Sequence, residues 1–213
     1  MATYSVSKKF DSRPPVITDK VAATMRMFGL STDRLAESGV IYNCRLKIND
    51  GNIVYITGPS GSGKSVLLKE LEKIIPADDS VNLDRIKLPV GKTLIDCMDG
   101  DFLSGLKLLS VAGLNDVFCV LGEPANLSDG QKYRFRLATA LAAKKKFIFA
   151  DEFCSNLDRI TAAVVAYNVC KFAKRNSVTF ILASAHQDIL ADLQPDVLVV
   201  RELAGKTEVV YKK

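Results

Sequence analysis

Residues 58 to 65 read GPSGSGKS, a spacing of glycine, lysine and serine that could bind a chain of phosphates. The three glycines allow the backbone to curl, so that successive N–H groups face one anion. Lys64 can reach the terminal phosphates, and the Ser65 hydroxyl can ligate Mg²⁺. An ordinary glycine-rich turn is the alternative. The stretch lies between a predicted strand and a predicted helix, as a phosphate-binding loop requires, so the sequence predicts nucleotide binding here.

The segment FIFADE, residues 147 to 152, is an apolar strand that ends in two carboxylates. Asp151 could hold Mg²⁺, directly or through water, and Glu152 could polarise a water molecule that attacks the terminal phosphate. We expect this strand to lie beside the strand that precedes the phosphate loop. An Asp-Glu pair on its own is more often a solvated strand end, but the buried strand and the phosphate loop favour the functional interpretation.

The single histidine of the chain, His186, follows the apolar run ILASA. A lone histidine is more often structural than catalytic. Because the carboxyl ends of parallel strands meet at one edge of a sheet, we expect His186 to lie near the phosphate loop. It could contact a terminal phosphate there, and we assign it a functional role.

The elements that must position these side chains alternate between strands and helices in the second half of the chain. From Phe147 we predict a strand, a helix, a strand, a short helix and two strands, the last at a sheet edge. Two earlier strands flank a turn at residues 49 to 51, and a helix runs from Lys64 to just before Pro76. This alternation predicts an α/β fold with a mainly parallel sheet and ligands at the carboxyl ends of its strands. The first 25 or so residues carry no assignable pattern.

Composition limits the class of protein. The chain has 213 residues, 48% of them apolar, which is enough for the core of one domain. Five cysteines without a C-x-x-C pair fit reduced thiols better than a disulfide framework or a zinc site. The net charge of +5 suits a protein that holds anionic ligands but does not by itself indicate nucleic acid. The sequence shows no signal peptide and no apolar run near the roughly 18 residues of a membrane span, so we expect a cytoplasmic protein.

One further stretch, LSDGQ at residues 127 to 131, precedes a basic amphipathic helix, and with it the sequence resembles the ATP-binding-cassette (ABC) ATPases. LSDGQ resembles the family signature LSGGQ, GPSGSGKS the family's phosphate loop, and FIFADE its magnesium strand with the catalytic glutamate. SNLD, residues 155 to 158, resembles the D-loop, and His186 the switch histidine. The resemblance covers most of the chain from about residue 40.

The resemblance implies one domain, residues 1 to 213, with a P-loop NTPase core. That core has a mainly parallel sheet and an antiparallel β portion at its N-terminal side. A shortened α-helical signature lobe is expected at about residues 91 to 135. The implied ligands are ATP and Mg²⁺, and the implied assembly is a homodimer or a pairing with a second cassette. The two cassettes meet head to tail, so that the signature of each contacts the ATP held by the other.

The resemblance also implies roles for individual residues. Ser128 would hydrogen-bond the terminal phosphate in trans, Gly130 would let the backbone come close, and the helix from near Gln131 would aim its positive end at the same phosphate. The implied catalytic residues are Lys64, Glu152 and His186, and the implied metal ligands are Ser65 and Asp151. The implied nucleotide contacts are Gly58, Pro59, Ser60, Gly61, Ser62, Gly63, Lys64, Ser65, Val66, Ser128, Gly130, Gln131 and Asp158. Phe28 is our candidate for the adenine-stacking aromatic and Tyr42 the alternative; ordinary packing is the competing interpretation for both.

The sequence departs from the family pattern at several points. Asp129 replaces a signature glycine, and a carboxylate about 8 Å from one phosphate charge costs up to roughly 2 kcal/mol at an effective dielectric of about 20. Asp129 could instead point to solvent or cap the following helix as an N-terminal acid, and we favour the cap because the serine and the second glycine remain. The Q-loop glutamine is missing, and the stretch from Leu88 to Lys92 is our candidate for its place. The segment between phosphate loop and signature is short, so the lobe on which transport partners dock should be trimmed. Phe153 stands where the family usually has proline, which we expect to be a harmless packing change.

Three functions stay open at this point. The first is a soluble ABC-type ATPase that hydrolyses ATP to ADP and phosphate to drive a non-transport protein partner, which the missing glutamine favours. The second is the ATP-binding subunit of a transporter, which requires a separate membrane-embedded protein. The third is a nucleotide-gated clamp on nucleic acid with little turnover. Positive charge for such a clamp would come from Lys132, Arg134, Arg136, Lys144, Lys145 and Lys146.

Overall fold

Two sheets form the β-structure of the part of the chain that the computed structural model describes, residues 2–9, 16–31, 41–203 and 206–212. The smaller sheet pairs β1 (Ala2–Lys9) with β2 (Ile41–Ile48) in antiparallel register. The strands of the larger sheet are β3 (Ile53–Thr57), β4 (Ser80–Asn82), β5 (Phe147–Ala150), β6 (Thr179–Ala183), β7 (Val197–Arg201) and β8 (Thr207–Tyr211). Their order is β4-β5-β6-β3-β7-β8, and every pairing is parallel except that of β7 with β8.

Helices connect the strands and cover the larger sheet. They are α1 (Asp19–Met27), α2 (Lys64–Ile74), α3 (Phe102–Val111), α4 (Val117–Val120), α5 (Asp129–Ala142), α6 (Arg159–Asn176) and α7 (Leu190–Leu193). The first connection, α2, follows β3, while α3, α4 and α5 all lie between β4 and β5. Within the described ranges, none of these helices is long and apolar enough to cross a bilayer.

The pattern of β3 explains why the sheet is buried on both faces. All five of its residues are buried. Ile53 and Tyr55 belong to the apolar cluster that includes residues of α3, α5 and α6, whereas Val54 and Ile56 belong to the cluster that includes residues of α2 and β2. Successive side chains of a strand point to opposite faces, so a continuous apolar run fits a strand with a layer on each side. Because both faces of the sheet are apolar, polar functional groups are expected in the loops at its carboxyl edge.

The predicted mainly parallel α/β fold is confirmed, as are the helix from Lys64 and the final edge strand. One prediction is wrong: β5 does not lie beside β3, because β6 lies between them and pairs with both. The segment that carries His186 therefore leaves the sheet between the phosphate loop and the two carboxylates. Within the described residues, the N-terminal stretch that the sequence left unassigned contains β1 and most of α1.

Candidate functional site

The GPSGSGKS sequence forms a tight curve between β3 and the first turn of α2. Gly61 and Gly63 have φ angles of 80° and 86°, in the left-handed region that favours glycine. The Nζ of Lys64 donates to the main-chain carbonyls of Gly58 and Pro59 at 2.9 and 3.0 Å. The ammonium group therefore lies against the loop itself, close to the N-terminus of α2, whose free N–H groups add positive potential.

Gly58 is the position of this loop that leaves no space for a side chain. Its φ is 146°, and a Cβ there would lie 2.1 Å from the carbonyl oxygen of Arg201. Arg201 ends β7 and is fully buried. Its Nε donates to the carbonyl of Ser62 at 3.2 Å, and its Nη1 donates to the hydroxyl of Thr207. A buried guanidinium on the neighbouring strand thus fixes the shape of the phosphate loop, a contact that the sequence did not indicate.

The polar groups of the loop fit a phosphate chain with a bound magnesium ion. The Ser62 hydroxyl is buried and lacks a hydrogen-bond partner among the described residues. Buried polar groups are normally satisfied, so an acceptor from a ligand suits this position. The Ser65 hydroxyl, in the first turn of α2, and the Asp151 carboxylate, just after β5, are oxygen donors of the kind that Mg²⁺ prefers. These residues would hold the metal.

Asp84 reaches the carboxyl edge of the sheet next to Asp151. The N–H of Asp151 donates to Oδ2 of Asp84 at 3.1 Å. Asn82 and Phe149 are paired in the β4–β5 register, so each aspartate lies two residues beyond a paired position. Burial, with the nearby Asp151 charge as a further cause, raises the pKa of the Asp84 carboxyl. The residue that approaches Asp151 from β4 is Asp84, and our candidate for the Q-loop position, Leu88 to Lys92, stays a prediction.

Glu152 lies in a strained turn shortly after β5. Its φ is 47°, and that of Cys154 is 60°; non-glycine residues keep such conformations where surrounding contacts impose them. Oε2 of Glu152 accepts a hydrogen bond from Ser155 at 3.0 Å. The N–H of Phe153 donates to the carbonyl of Ala183 at 2.9 Å, a bond that proline cannot make. This N–H joins the loop to the end of β6, so Phe153 contributes a main-chain contact as well as packing; that the change is harmless stays a prediction.

The main chain of His186 is fixed by two hydroxyl groups. Tyr55, on β3, donates its hydroxyl proton to the carbonyl of His186, and the N–H of His186 donates to Oγ of Ser184 at 3.3 Å. Burial raises the pKa of Tyr55 to about 12, so this hydroxyl keeps its proton at neutral pH. The imidazole is 53% exposed, and its Nδ1 lies 3.9 Å from Oδ1 of Asp188. The backbone is therefore fixed while the ring stays accessible to a ligand.

The LSDGQ residues form the N-terminus of α5. Ser128 is the N-cap: its Oγ accepts from the N–H of Gln131 at 3.3 Å, and the Gln131 side chain accepts from the N–H of Ser128 at 2.9 Å. This is a capping box. The expectation that Asp129 caps the helix is wrong, because Asp129 is the first helical residue, where the helix dipole favours its charge. The Ser128 O–H proton is not used by the capping bond and can be donated to an anion.

The signature helix α5 is joined directly to the loop after β5. The N–H of Cys154 donates to the hydroxyl of Tyr133 at 3.0 Å, and both residues are buried. A Cβ on Gly130 would lie 3.3 Å from the carbonyl of Asn156 and from the side chain of Leu157. Burial raises the pKa of the Cys154 thiol to about 12, so the thiol is protonated and unreactive at neutral pH. A shift of the α5 N-terminus would therefore be transmitted to the Glu152 loop.

The remaining predicted site residues lie further along the same loops or outside them. Asp158 is the N-cap of α6, and hydrogen bonds from Thr161 lower the pKa of its carboxyl. Phe28 directly follows α1 and is 69% exposed; its contact with adenine stays a prediction. The side chain of Tyr42 lies outside the described residues.

The arrangement brings three kinds of group to one edge of the sheet. An anion-binding loop with Lys64 follows β3, the Asp151 and Glu152 carboxylates follow β5, and His186 follows the strand between them. Sequence reasoning missed the groups that support this edge, namely Tyr55, Asp84, Tyr133 and Arg201. Such a constellation can bind a polyphosphate, orient a water molecule and accept a proton at Glu152.

Comparison with known proteins gives concordant similarities. The family model described as ABC transporter matches residues 41–95. ABC transporter I family member 17 of Arabidopsis thaliana is 30% identical, with coverage of 71% of this chain and 69% of the relative. Methionine import ATP-binding protein MetN 2 of Pseudomonas syringae pv. tomato is 27% identical, and the chain spans only 59% of its length. The dimeric post-hydrolysis structure of the ATP-binding cassette MJ0796, bound to ADP and Pi, shares the fold with a TM-score of 0.63 at 21% identity, covering 83% of this chain and 94% of that one.

Proposed function

This chain belongs to the ATP-binding-cassette ATPases, and we propose that it binds MgATP, dimerises head to tail around it and hydrolyses it to ADP and phosphate to drive a partner protein. The observation that carries the proposal is the position of Glu152. Its turn is fixed to β6 by Phe153 and to the signature helix by Tyr133, at the edge where the phosphate loop ends. A glutamate whose main chain is held in a strained turn suits a residue that must meet a water molecule in one geometry.

The residues of the site divide the chemistry between them. Lys64 would exchange its two main-chain carbonyls for oxygens of the terminal phosphates, and the N–H groups of the loop would bind the same oxygens. Glu152 would orient the attacking water and accept its proton, and His186 would contact the terminal phosphate. Ser128 of the opposite protomer would donate its free O–H to that phosphate. Mg²⁺, bound by Ser65 and Asp151, would supply positive charge to the phosphate oxygens.

Phosphate release from MgATP tests the proposal. We expect turnover to rise faster than linearly with protein concentration, because each site needs both protomers. Glu152→Gln should lower turnover by about a hundredfold or more, the range for loss of a general base, and should trap a dimer with ATP that light scattering detects. Glu208→Gln, the same change at an exposed position on β8, is the matched control. Turnover linear in protein, or a Glu152→Gln variant that hydrolyses ATP normally, would refute the proposal.

Exposed apolar side chains favour one class of partner, a membrane-embedded protein, and make the ATP-binding subunit of a transporter our second candidate. Val117, Phe118 and Leu121, on and just after α4, are 57%, 83% and 60% exposed. Apolar patches of this kind mark protein contacts, and the names of the two relatives describe methionine import and an ABC transporter. Phe118→Ser should then abolish association with an integral membrane protein and leave the isolated protein's ATP turnover unchanged. Val210→Ser, an exposed position on β8, is the control.

A further inference from the structure

A cleft of about 740 Å³ lies at the edge of the sheet opposite the nucleotide site. It is bounded by α3, the C-terminal ends of α5 and α6, and the turn before β5. Lys146 and Val178, which immediately precede β5 and β6, line it, whereas the phosphate loop and Glu152 follow their strands. We call it the basic cleft. Its cationic lining residues are Lys107, Lys144, Lys145, Lys146, Lys171 and Arg175.

The lining of the basic cleft carries more positive than negative charge. It has six cationic side chains and two acidic ones, Asp99 and Asp101, and one of the six cations, Lys146, is paired with Asp79 outside the lining. Cations in the last turn of a helix are ordinary, since they complement its dipole, and that accounts for Arg175 at the end of α6. It does not account for Lys107, in the middle of α3, or for Lys144, in a turn. Like charges around one cavity repel one another unless an anion lies between them.

Half of these cations are already engaged and fix the walls. Lys145 donates to the carbonyl of Asp78 at 2.7 Å, and Lys146 forms an ion pair with Asp79 at 3.0 Å. Lys171 lies 4.2 Å from the centre of the Tyr167 ring. The other three, Lys107, Lys144 and Arg175, have no ion-pair or hydrogen-bond partner among the residues that the structure describes. They are exposed side chains on three different elements that line one cavity.

The size and floor of the cleft indicate the class of anion. The volume lies within the range of about 300–1,000 Å³ that is usual for small-molecule sites. Apolar side chains of Leu108, Val111, Leu141 and Phe172 line it as well. Single-stranded nucleic acid is bound along an extended basic track with stacking aromatics, whereas the lining of this cleft contains one aromatic residue, Phe172. Lysine ammonium groups act as point charges that suit phosphate.

We propose that the basic cleft binds a small organic polyphosphate, with its apolar part on the floor and its phosphates on Lys107, Lys144 and Arg175. The proposal is independent of ATP hydrolysis, because none of these residues belongs to the nucleotide site. A ligand here would contact the C-terminal ends of α5 and α6, the two helices whose N-termini carry Ser128 and Asp158. Binding at the cleft could therefore be sensed at the nucleotide site through two rigid helices.

Site-resolved lysine acylation of the full chain, read by mass spectrometry, tests this proposal with inorganic tripolyphosphate as the probe. Lys107 and Lys144 should be protected at one common probe concentration, while Lys92 and Lys174, exposed lysines outside the cleft, should not. Lys64 reports separately on the phosphate loop in the same samples. Arg175→Gln should raise the concentration that half-protects Lys107 by about tenfold, the loss expected for one charged hydrogen bond. Lys174→Gln, the adjacent residue outside the cleft, should leave it unchanged.

Two results would overturn the proposal. The first is a general charge effect. It would appear as protection of Lys107 and Lys144 that is no greater than the protection of Lys92 and Lys174. It would also appear as protection that Arg175→Gln and Lys174→Gln weaken equally. The second is protection by a single-stranded oligonucleotide but not by tripolyphosphate, which would make this face a nucleic-acid surface instead.

Discussion

Replacement of Tyr133 by phenylalanine separates the positioning of Glu152 from the binding of ATP. Tyr133→Phe removes one hydroxyl oxygen, which accepts from the N–H of Cys154 at 3.0 Å, and keeps the ring. Cys154 is only 3% exposed, so water cannot replace the lost acceptor. A buried donor without a partner costs about 1–3 kcal/mol. For a domain of this size, that corresponds to a lowering of the unfolding midpoint by roughly 2–12 °C.

The catalytic consequence follows from the strain at Cys154. Its left-handed conformation, with φ of 60°, loses one of the contacts that impose it. Glu152, two residues earlier, then occupies its catalytic position for a smaller fraction of the time. A misplacement of about 1 Å can cost about a hundredfold in rate, so we expect kcat to fall about ten- to hundredfold. The KM for ATP should stay within about twofold of the wild-type value, because Tyr133 is not among the residues that we expect to contact the nucleotide.

Steady-state ATPase kinetics and thermal unfolding on the same preparations measure both effects. Tyr167→Phe is the matched control: it removes the same atom from a ring that is 45% exposed, on α6. We expect it to change neither the midpoint nor kcat. If Tyr133→Phe lowered the midpoint and left kcat unchanged, the contact would be structural only. A rise in KM at constant kcat would place Tyr133 in nucleotide binding instead, and either result would refute the reasoning.

Three further predictions concern single contacts of the site. Gly58→Ala should destabilise the nucleotide-free protein by more than about 2 kcal/mol, because its Cβ meets a main-chain carbonyl at 2.1 Å. Gly61→Ala, with open space around its Cβ, should cost only about 1 kcal/mol. Equal unfolding midpoints of the two variants would contradict this prediction. Phe153→Pro should lower the midpoint by several degrees more than Phe153→Leu, since only proline removes the N–H bonded to Ala183; equal losses would show that packing alone matters. The pKa of Asp84 is raised, so the unfolded chain releases this proton first and stability falls as pH rises from about 4 through the raised pKa. Asp84→Asn removes that loss of stability. The difference in unfolding midpoint, variant minus wild type, should therefore be larger at about pH 7 than at about pH 4. A difference that does not depend on pH would contradict the prediction.

Local patterns of the sequence predicted the phosphate loop and the alternating elements well. A glycine-rich turn between an apolar strand and an amphipathic helix depends on neighbours in the chain, and GPSGSGKS lies in that context. The order of the strands depends on long-range pairing. The runs FIFA and TFILA are both short, apolar and fully compatible with either position, so nothing local indicates that β6 lies between β5 and β3.

The helix cap at the signature is indicated by the sequence, but at Ser128 and not at Asp129. A serine followed three residues later by glutamine is the sequence pattern of a capping box, and Ser128 and Gln131 have this spacing. With Ser128 as the cap, Asp129 needs no separate explanation: it lies in the first turn of α5, where a negative charge is favoured.

The two buried tyrosines, Tyr55 and Tyr133, indicate polar partners inside the fold. In the run IVYI, residues 53 to 56, Tyr55 has the one hydroxyl among aliphatic neighbours, and Tyr133 lies on the buried side of a helix. A hydroxyl buried without a hydrogen bond costs free energy, so each tyrosine implies a polar partner inside the fold. Most main-chain groups of strands and helices are already paired, which leaves the loops at the sheet edge as the source of partners. The partners are the carbonyl of His186 and the N–H of Cys154. In each case a buried hydroxyl fixes the backbone of a loop that carries a predicted catalytic side chain, His186 in one loop and Glu152 in the other. A tyrosine in an otherwise aliphatic core segment of such a sheet is therefore a sequence signal for a second layer of the site.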